Sequence, residues 1–176
     1  MIIKKFAIVS FVLLVSNFIT TSKKIEELVN KEIRNVFQIE NFQKEDIQIP
    51  EHLKKTLPKD FIISKFKKIK ISNETFGYYS VGSAFGQVDY FDYLIIFDND
   101  LIVEKIKILV YREDHGGEIR SKRWLRQFRG KSINNDLNYP KNIVGISGAT
   151  LSVKVMTNAV NNVLNATGVL HKNKVL

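Results

Sequence analysis

The spacing of apolar positions changes along the chain, and each change of period marks a change of predicted structure. After Ser22 an apolar residue recurs every three or four positions, which predicts an amphipathic helix capped by that serine. The apolar positions are Ile25, Leu28, Val29, Ile33, Val36 and Phe37. Pro50 then opens a short predicted helix that runs to Leu57, and Pro58 stops it. This region is therefore interpreted as a connector into a sheet.

From Phe61 onward the period shortens to two, which is typical of strands. Between residues 65 and 71 lysines alternate with apolar residues, as expected for the wet and dry faces of one strand. A second strand is predicted from Phe76 to Val81, ending at Gly82. A hairpin follows, with a turn at residues 98–100. Its inward positions are Phe91, Tyr93, Ile95 and Phe97 on one strand and Ile106, Ile108 and Val110, alternating with Lys105 and Lys107, on the other.

Helical spacing returns in the last third of the chain. Trp124, Leu125 and Phe128 fit one face of a short helix closed by Gly130. A final helix is predicted to bury an apolar side and to end before Gly168; its apolar residues are Val153, Met156, Ala159, Val160, Val163 and Leu164. Strands followed by helices predict an α+β fold, a twisted antiparallel sheet flanked by helices.

The first 19 residues have the pattern of an export signal. Lys4 and Lys5 precede an apolar run that starts at Phe6. The run is shorter than the roughly 20 apolar residues that span a bilayer comfortably, which favours cleavable export over a permanent anchor, although the region around residues 17–22 has no small-x-small cleavage site. We therefore expect a signal peptide or membrane anchor at 1–21, a helical region and connector at 22–60, and the main domain at 61–176.

Composition narrows the chemistry further. The chain of 176 residues contains no cysteine, which excludes disulfides, iron–sulfur clusters and thiol catalysis. Its formal charge of +9 suits an anionic membrane surface or an acidic partner protein. Export makes a nucleic-acid partner a poor expectation. The predicted location is periplasmic, or the outer face of the cytoplasmic membrane.

Two polar segments are candidate binding sites. Ser147, Gly148, Ala149 and Thr150 stand directly before the last helix, where small residues let backbone amides approach a phosphate. The same string is also compatible with a simple helix cap, and the residues alone leave both interpretations open. The loop at residues 113–118 is too polar and glycine-rich to continue a strand.

These segments resemble a known family. The string from Ser147 through Thr150 to Ser152, followed by an amphipathic helix, is similar to the flavinylation motif of the FMN-binding domain family. The segments 111–119 and 124–131 resemble that family's flavin-facing loop and helix. The resemblance covers roughly residues 76–164 and is closest to short exported proteins related to the C subunit of sodium-pumping NADH:quinone oxidoreductase and the G subunit of the Rnf complex.

The resemblance implies a cofactor and a way of attaching it. In the family a flavin transferase moves FMN from FAD onto a threonine hydroxyl, and Thr150 matches that acceptor. One position departs from the family motif, because Val144 stands where an aspartate is common. The cofactor-binding residues that the resemblance implies are Ser147, Gly148, Ala149, Thr150, Leu151, Gly116, Gly117, Glu118, Trp124 and Leu125, with Trp124 or Leu125 covering a face of the flavin ring.

The leading hypothesis is therefore an electron carrier with covalent FMN that exchanges electrons with membrane or periplasmic redox partners. The alternative is an exported binding module, or a noncovalent FMN-binding protein, that docks on an anionic envelope surface. A flavin reductase ranks last because no dinucleotide fingerprint is present. The residues around His115 match no metal-ligand spacing, and Ser147 lacks the glycine pattern of a nucleophile elbow.

Overall fold

The computed structural model describes residues 22–62 and 64–176. The predicted signal or anchor at 1–21 lies outside the described residues. The chain divides into two compact units, Met1–Ile39 and Glu40–Leu176. The described part of the first unit is a helix, α1, over residues 22–37. Val29 and Ile33 on its predicted apolar stripe are buried. Ser22 is itself helical, so the prediction that it precedes the helix as its cap is wrong.

The second unit is built on one antiparallel sheet whose strands are neighbours in chain order. The strands are β1 (Gln43–Asp46), β2 (Lys65–Ile71), β3 (Glu74–Phe85), β4 (Tyr90–Asp98) and β5 (Val103–Tyr111). Ser72 and Asn73 both have positive φ, at 48° and 71°, in the two-residue turn that joins β2 to β3. The predicted α+β class with an antiparallel sheet and flanking helices is confirmed.

The region predicted as a connector contains two short helices and an edge strand. Helix α2 (Glu51–Lys54) begins after Pro50 but ends before Leu57, and α3 (Lys59–Ile62) follows directly. Pro58 was predicted to stop a helix; instead its carbonyl accepts the first hydrogen bonds of α3, from the amides of Phe61 and Ile62. The expectation of strand from Phe61 is likewise wrong, because Phe61 is helical and buries its ring against Phe66.

Strand β3 runs past the predicted stop at Gly82. Gly82 pairs with Tyr93 of β4, and a Cβ at Gly82 would collide with the Tyr93 hydroxyl. The glycine therefore makes room for a tyrosine on the neighbouring strand and does not end its own strand.

One face of the sheet forms the main core. Phe91, Tyr93, Ile95 and Phe97 are all buried in it, as predicted. Ile106 and Ile108 join them, but the pairing register shifts between Asp92 and Tyr93. This β-bulge places Val110 opposite Asp92, so Val110 is only half-buried and does not continue the apolar row, contrary to the predicted alternation.

The long helix α5 (Thr150–Lys172) packs on this core face. The predicted apolar residues of α5 are buried, as are those of the segment made of α4 (Lys122–Leu125) and a 3₁₀ turn (Arg126–Phe128). Gly168 lies inside α5, so the predicted end before it is wrong; the helix continues and buries Leu170. Within residues 22–62 and 64–176, no helix is long and apolar enough to cross a bilayer.

Candidate functional site

Thr150 is the first residue of α5, and its side chain is exposed. The residue before the helix is Ala149, and among the residues that the structure describes no side chain caps the helix start. The capping interpretation of the Ser147–Thr150 string is therefore not what the structure shows. The first amides of a helix have no partner within it and carry the positive end of the helix dipole, so this start favours a negatively charged group.

The loop that leads into α5 is attached to the α4 segment at one residue. The indole Nε1 of Trp124 donates to the Val144 carbonyl at 2.8 Å, and the Val144 amide donates to Gln127 Oε1, also at 2.8 Å. The Val144 side chain itself points outward and is 74% exposed. Both backbone groups of this residue are thus held while its side chain is left in solvent.

The loop at residues 113–118 packs on the first turn of α5. Gly116 has φ 74°, and a Cβ there would collide with Ser152 Oγ and lie 3.0 Å from the Tyr111 hydroxyl. That hydroxyl donates to the His115 carbonyl at 2.6 Å and lies 3.4 Å from Ser152 Oγ. Burial raises the pKa of Tyr111, with the hydrogen bond to Ser152 opposing it, so the phenol remains a donor at neutral pH.

The other end of the same loop is fixed by a carboxylate. Glu113 Oε1 accepts from the backbone amides of Gln87, Val88 and Asp89, at 2.6, 3.3 and 3.3 Å. These amides belong to the β3–β4 turn. The loop is therefore held between the β3–β4 hairpin on one side and the start of α5 on the other.

A cleft of about 430 Å³ lies between the α4 segment and the loop that precedes Thr150. Trp124 supplies an aromatic wall, and Glu118 and Arg123 supply charges of opposite sign. The residues that line it are Glu118, Ser121, Arg123, Trp124, Gln127, Val144, Gly145 and Ile146. The volume is within the range of small-ligand pockets, which is about 300–1,000 Å³.

The structure brings most of the predicted site residues to one surface. Glu118 and Trp124 line the cleft, whereas Ser147, Gly148, Thr150 and Leu151 are exposed beside it. Gly148 has φ 80°, and nothing lies within 4 Å of a Cβ built there.

Three predicted residues have other surroundings. Leu125 is buried in the main core and does not line this cleft, because α4 turns it toward the sheet. Ala149 is buried, and Gly117 lies under the Arg120 side chain. Gln127 and Ser152 lie in the segments that resemble the family motif but are not among the predicted site residues, and Arg123 is not predicted either. The contacts of Gln127 and Ser152 join segments that are 17 and 41 residues apart in the chain.

Comparison with known proteins gives one family match. Residues 89–165 match the model of the FMN-binding domain. The match spans β4, β5, the flavin-facing loop predicted from the sequence, the α4 segment and most of α5. A comparison with curated proteins found no match. Residues 89–165 of this chain therefore match the FMN-binding domain family, and this match indicates flavin binding by that segment.

Proposed function

We propose that this protein is an exported electron-transfer flavoprotein that carries FMN as a phosphoester on Thr150. The observation that carries the proposal is the exposed Thr150 hydroxyl at a helix start that no side chain caps. A phosphodiester at this hydroxyl keeps one negative charge next to the amides of the first turn. Gly148, with its positive φ and open surroundings, leaves room for the phosphate group.

The cleft beside Thr150 fits the rest of the cofactor. Trp124 gives the cleft an aromatic wall with the small part of its side chain that is exposed, and the Arg123 guanidinium and the Glu118 carboxylate offer a donor and an acceptor for the polar edge of a flavin ring. Bound FMN supplies one- and two-electron redox chemistry, whereas the protein supplies orientation, hydrogen bonds and local charge. Arg123 close to a reduced flavin favours its anionic form.

The attachment step uses FAD as the donor. Thr150 Oγ forms a bond to the phosphorus on the FMN side of FAD, the pyrophosphate bond breaks, AMP leaves, and the hydroxyl proton passes to solvent. The proposed maturation partner is a flavin transferase, which must reach this hydroxyl, and Thr150 is exposed. A covalent link retains the cofactor in a compartment where a lost flavin is not readily replaced.

Export is supported by the amino-terminal pattern of Lys4 and Lys5 followed by an apolar run. In that location the electron donors and acceptors are membrane or periplasmic redox proteins.

The test is expression of the full chain together with a flavin transferase, followed by intact-mass analysis and in-gel fluorescence after denaturation. We expect the mass of the wild type to increase by that of one FMN less one water, and the denatured protein to fluoresce. Thr150→Ala should remain the bare polypeptide. Thr75→Ala, a matched change on β3 outside the site, should be loaded like the wild type.

Two results would refute parts of the proposal. A wild type of bare mass that is yellow before denaturation and colourless after it would show noncovalent FMN. A wild type that never binds flavin but binds anionic vesicles in a salt-dependent way would favour the envelope-binding alternative.

A further inference from the structure

The loop before Thr150 has few anchors between its buried end and the helix. Ile143 is fully buried, and the next fixed points are the turn from Ile146 to Ala149, closed by a 3.1 Å hydrogen bond, and the start of α5. No side chain caps α5. Val144 lies between Ile143 and this turn, so its hydrogen bonds help to set the path of the loop that leads to Thr150.

Gln127 and Trp124 form hydrogen bonds with the two backbone polar groups of Val144. Gln127 Oε1 accepts the Val144 amide, and Trp124 Nε1 donates to the Val144 carbonyl, each at 2.8 Å. Both partners lie on the same short segment, which is anchored by the buried side chains of Leu125 and Phe128. The two hydrogen bonds come from one segment and hold the peptide units on both sides of the Val144 Cα.

The two partners differ in what else they do. Trp124 is buried and packs edge-on against Phe128, with ring centroids 5.2 Å apart, so its removal would also open the core. Gln127 is half-buried and lines the cleft. Its bond to Val144 is the hydrogen bond that connects its side chain to the Thr150 loop. Gln127 is therefore the residue whose effect on the loop can be separated from packing.

We propose that Gln127 is a positioning residue for flavin attachment: with Trp124 it clamps Val144 and thereby presents Thr150 to the flavin transferase. This inference rests on the proposed function. Gln127→Met removes the acceptor oxygen at nearly constant side-chain length, whereas Gln127→Glu keeps an acceptor oxygen at the same reach. Gln87→Met, on the exposed β3–β4 turn, is the matched control.

The experiment has two readouts. In the full chain made without transferase, hydrogen exchange of the Val144 amide should be about fivefold faster in Gln127→Met than in the wild type, the size expected for one lost hydrogen bond. With transferase present, the rate of FMN attachment to Thr150 should fall by about the same factor. Gln127→Glu should restore slow exchange and attachment, and Gln87→Met should match the wild type. All four proteins should melt at similar temperatures.

Each failure has its own meaning. Equal Val144 exchange in wild type and Gln127→Met, equal attachment rates, or no rescue by Gln127→Glu would overturn the role of Gln127. A wild type that never acquires FMN would instead overturn the proposed function. The Val144 exchange rates would then show only whether Gln127 holds the Val144 amide.

Discussion

Gly116 shows how one residue can connect the loop at residues 113–118 to the helix that carries Thr150. Its φ of 74° suits glycine, and the space where a side chain would stand is filled by Ser152 and the Tyr111 hydroxyl. The sequence predicted that this glycine lies in a ligand-facing loop because the segment is polar and rich in glycine. It could not predict that Ser152 is the neighbour, because that contact forms only when α5 packs against the loop.

Gly116→Ala and Gly130→Ala form a matched pair that separates backbone strain from steric collision. Both glycines have positive φ, 74° and 77°, but nothing lies within 4 Å of a Cβ at Gly130. We expect Gly116→Ala to lower the free energy of unfolding by about 1–3 kcal/mol more than Gly130→Ala, because only Gly116→Ala overpacks a filled site. Urea denaturation of the chain without FMN measures the difference. Equal losses of unfolding free energy in the two variants would show that the Ser152 side chain moves aside without a measurable energetic cost.

The position of Thr150 was predictable because small and polar residues directly before an apolar helical pattern mark a helix start. Thr150 was placed at the start of a helix, and that is where α5 begins. The resemblance implies that Trp124 or Leu125 covers a face of the flavin ring, and of these two Trp124 lines the cleft. Both side chains are buried in the same core cluster, so the sequence alone does not show which of them also reaches the cleft.

At the scale of elements, α5 is longer than its pattern indicated. Gly168 was interpreted as lying beyond the helix end, since glycine is common after helix termini. The helix continues to Lys172 because Leu170 is fully buried, and burial of a leucine outweighs the propensity cost of one glycine, which is about 1 kcal/mol. The burial of Leu170 depends on residues that are distant in the chain, so a short stretch of sequence around Gly168 does not reveal it.

The same glycine offers a stabilising substitution. A Cβ at Gly168 would lie 3.5 Å from the Cβ of Ile133, which is ordinary van der Waals contact. Gly168→Ala should therefore raise the free energy of unfolding by about 0.5–1 kcal/mol, as expected for alanine in a helix interior. Thermal and urea denaturation measure it. A destabilised Gly168→Ala protein would mean that the segment around Ile133 cannot adjust to the added methyl group.

The edge strand β1 was missed for a different reason. All four of its residues, Gln43–Asp46, are polar, so no apolar alternation marks them. Its pairing is with β2, where Lys67 contacts Asp46 at 2.9 Å and Lys70 contacts Glu45 at 3.1 Å. The prediction that the lysines of β2 form one wet face is not met in detail, because Lys67 and Lys68 are consecutive and a bulge follows Ile69. The acidic residues that pair with Lys67 and Lys70 lie 21 to 25 positions away.

At the scale of the whole second unit, buried tyrosines make stability sensitive to alkali. Tyr93 is 1% exposed, and burial, with a smaller contribution from the charge of Asp60, raises its pKa to about 12. Below pH 10 the phenol is protonated in both folded and unfolded chains, so the contribution of Tyr93 to the free energy of unfolding is fully present. Above pH 10 only the unfolded chain ionises, and stability is lost as the pH rises toward 12.

We expect Tyr93 alone to account for a loss of about 2 kcal/mol between pH 10 and pH 12, from the rise of its pKa from 10.0 to about 12. Tyr93→Phe should remove that part of the slope while leaving the slope from Tyr79, whose pKa is also raised by burial. Urea denaturation at several pH values, with tyrosinate absorbance recorded in parallel, measures both. The same slope in both proteins would contradict the assignment to Tyr93.

The arrangement of the sheet was predictable in kind but not in detail. Period-two alternation indicated antiparallel strands, and strands that follow one another in the chain commonly pair, which gives the observed order from β1 to β5. The bulges opposite Asp92 and Ile96 were not predictable, because they set the register between β4 and β5 without leaving a local composition signal.

The uncapped start of α5 imposes opposed demands on the sequence. A serine, threonine or aspartate in place of Ala149 is the usual way to strengthen a helix start, by about 1 kcal/mol. Such a side chain would accept the same amide protons that the phosphate proposed at Thr150 would accept. A side-chain cap and a bound anion therefore compete for one set of amide donors. A helix start without a cap is less stable, but its amides remain available to an anion.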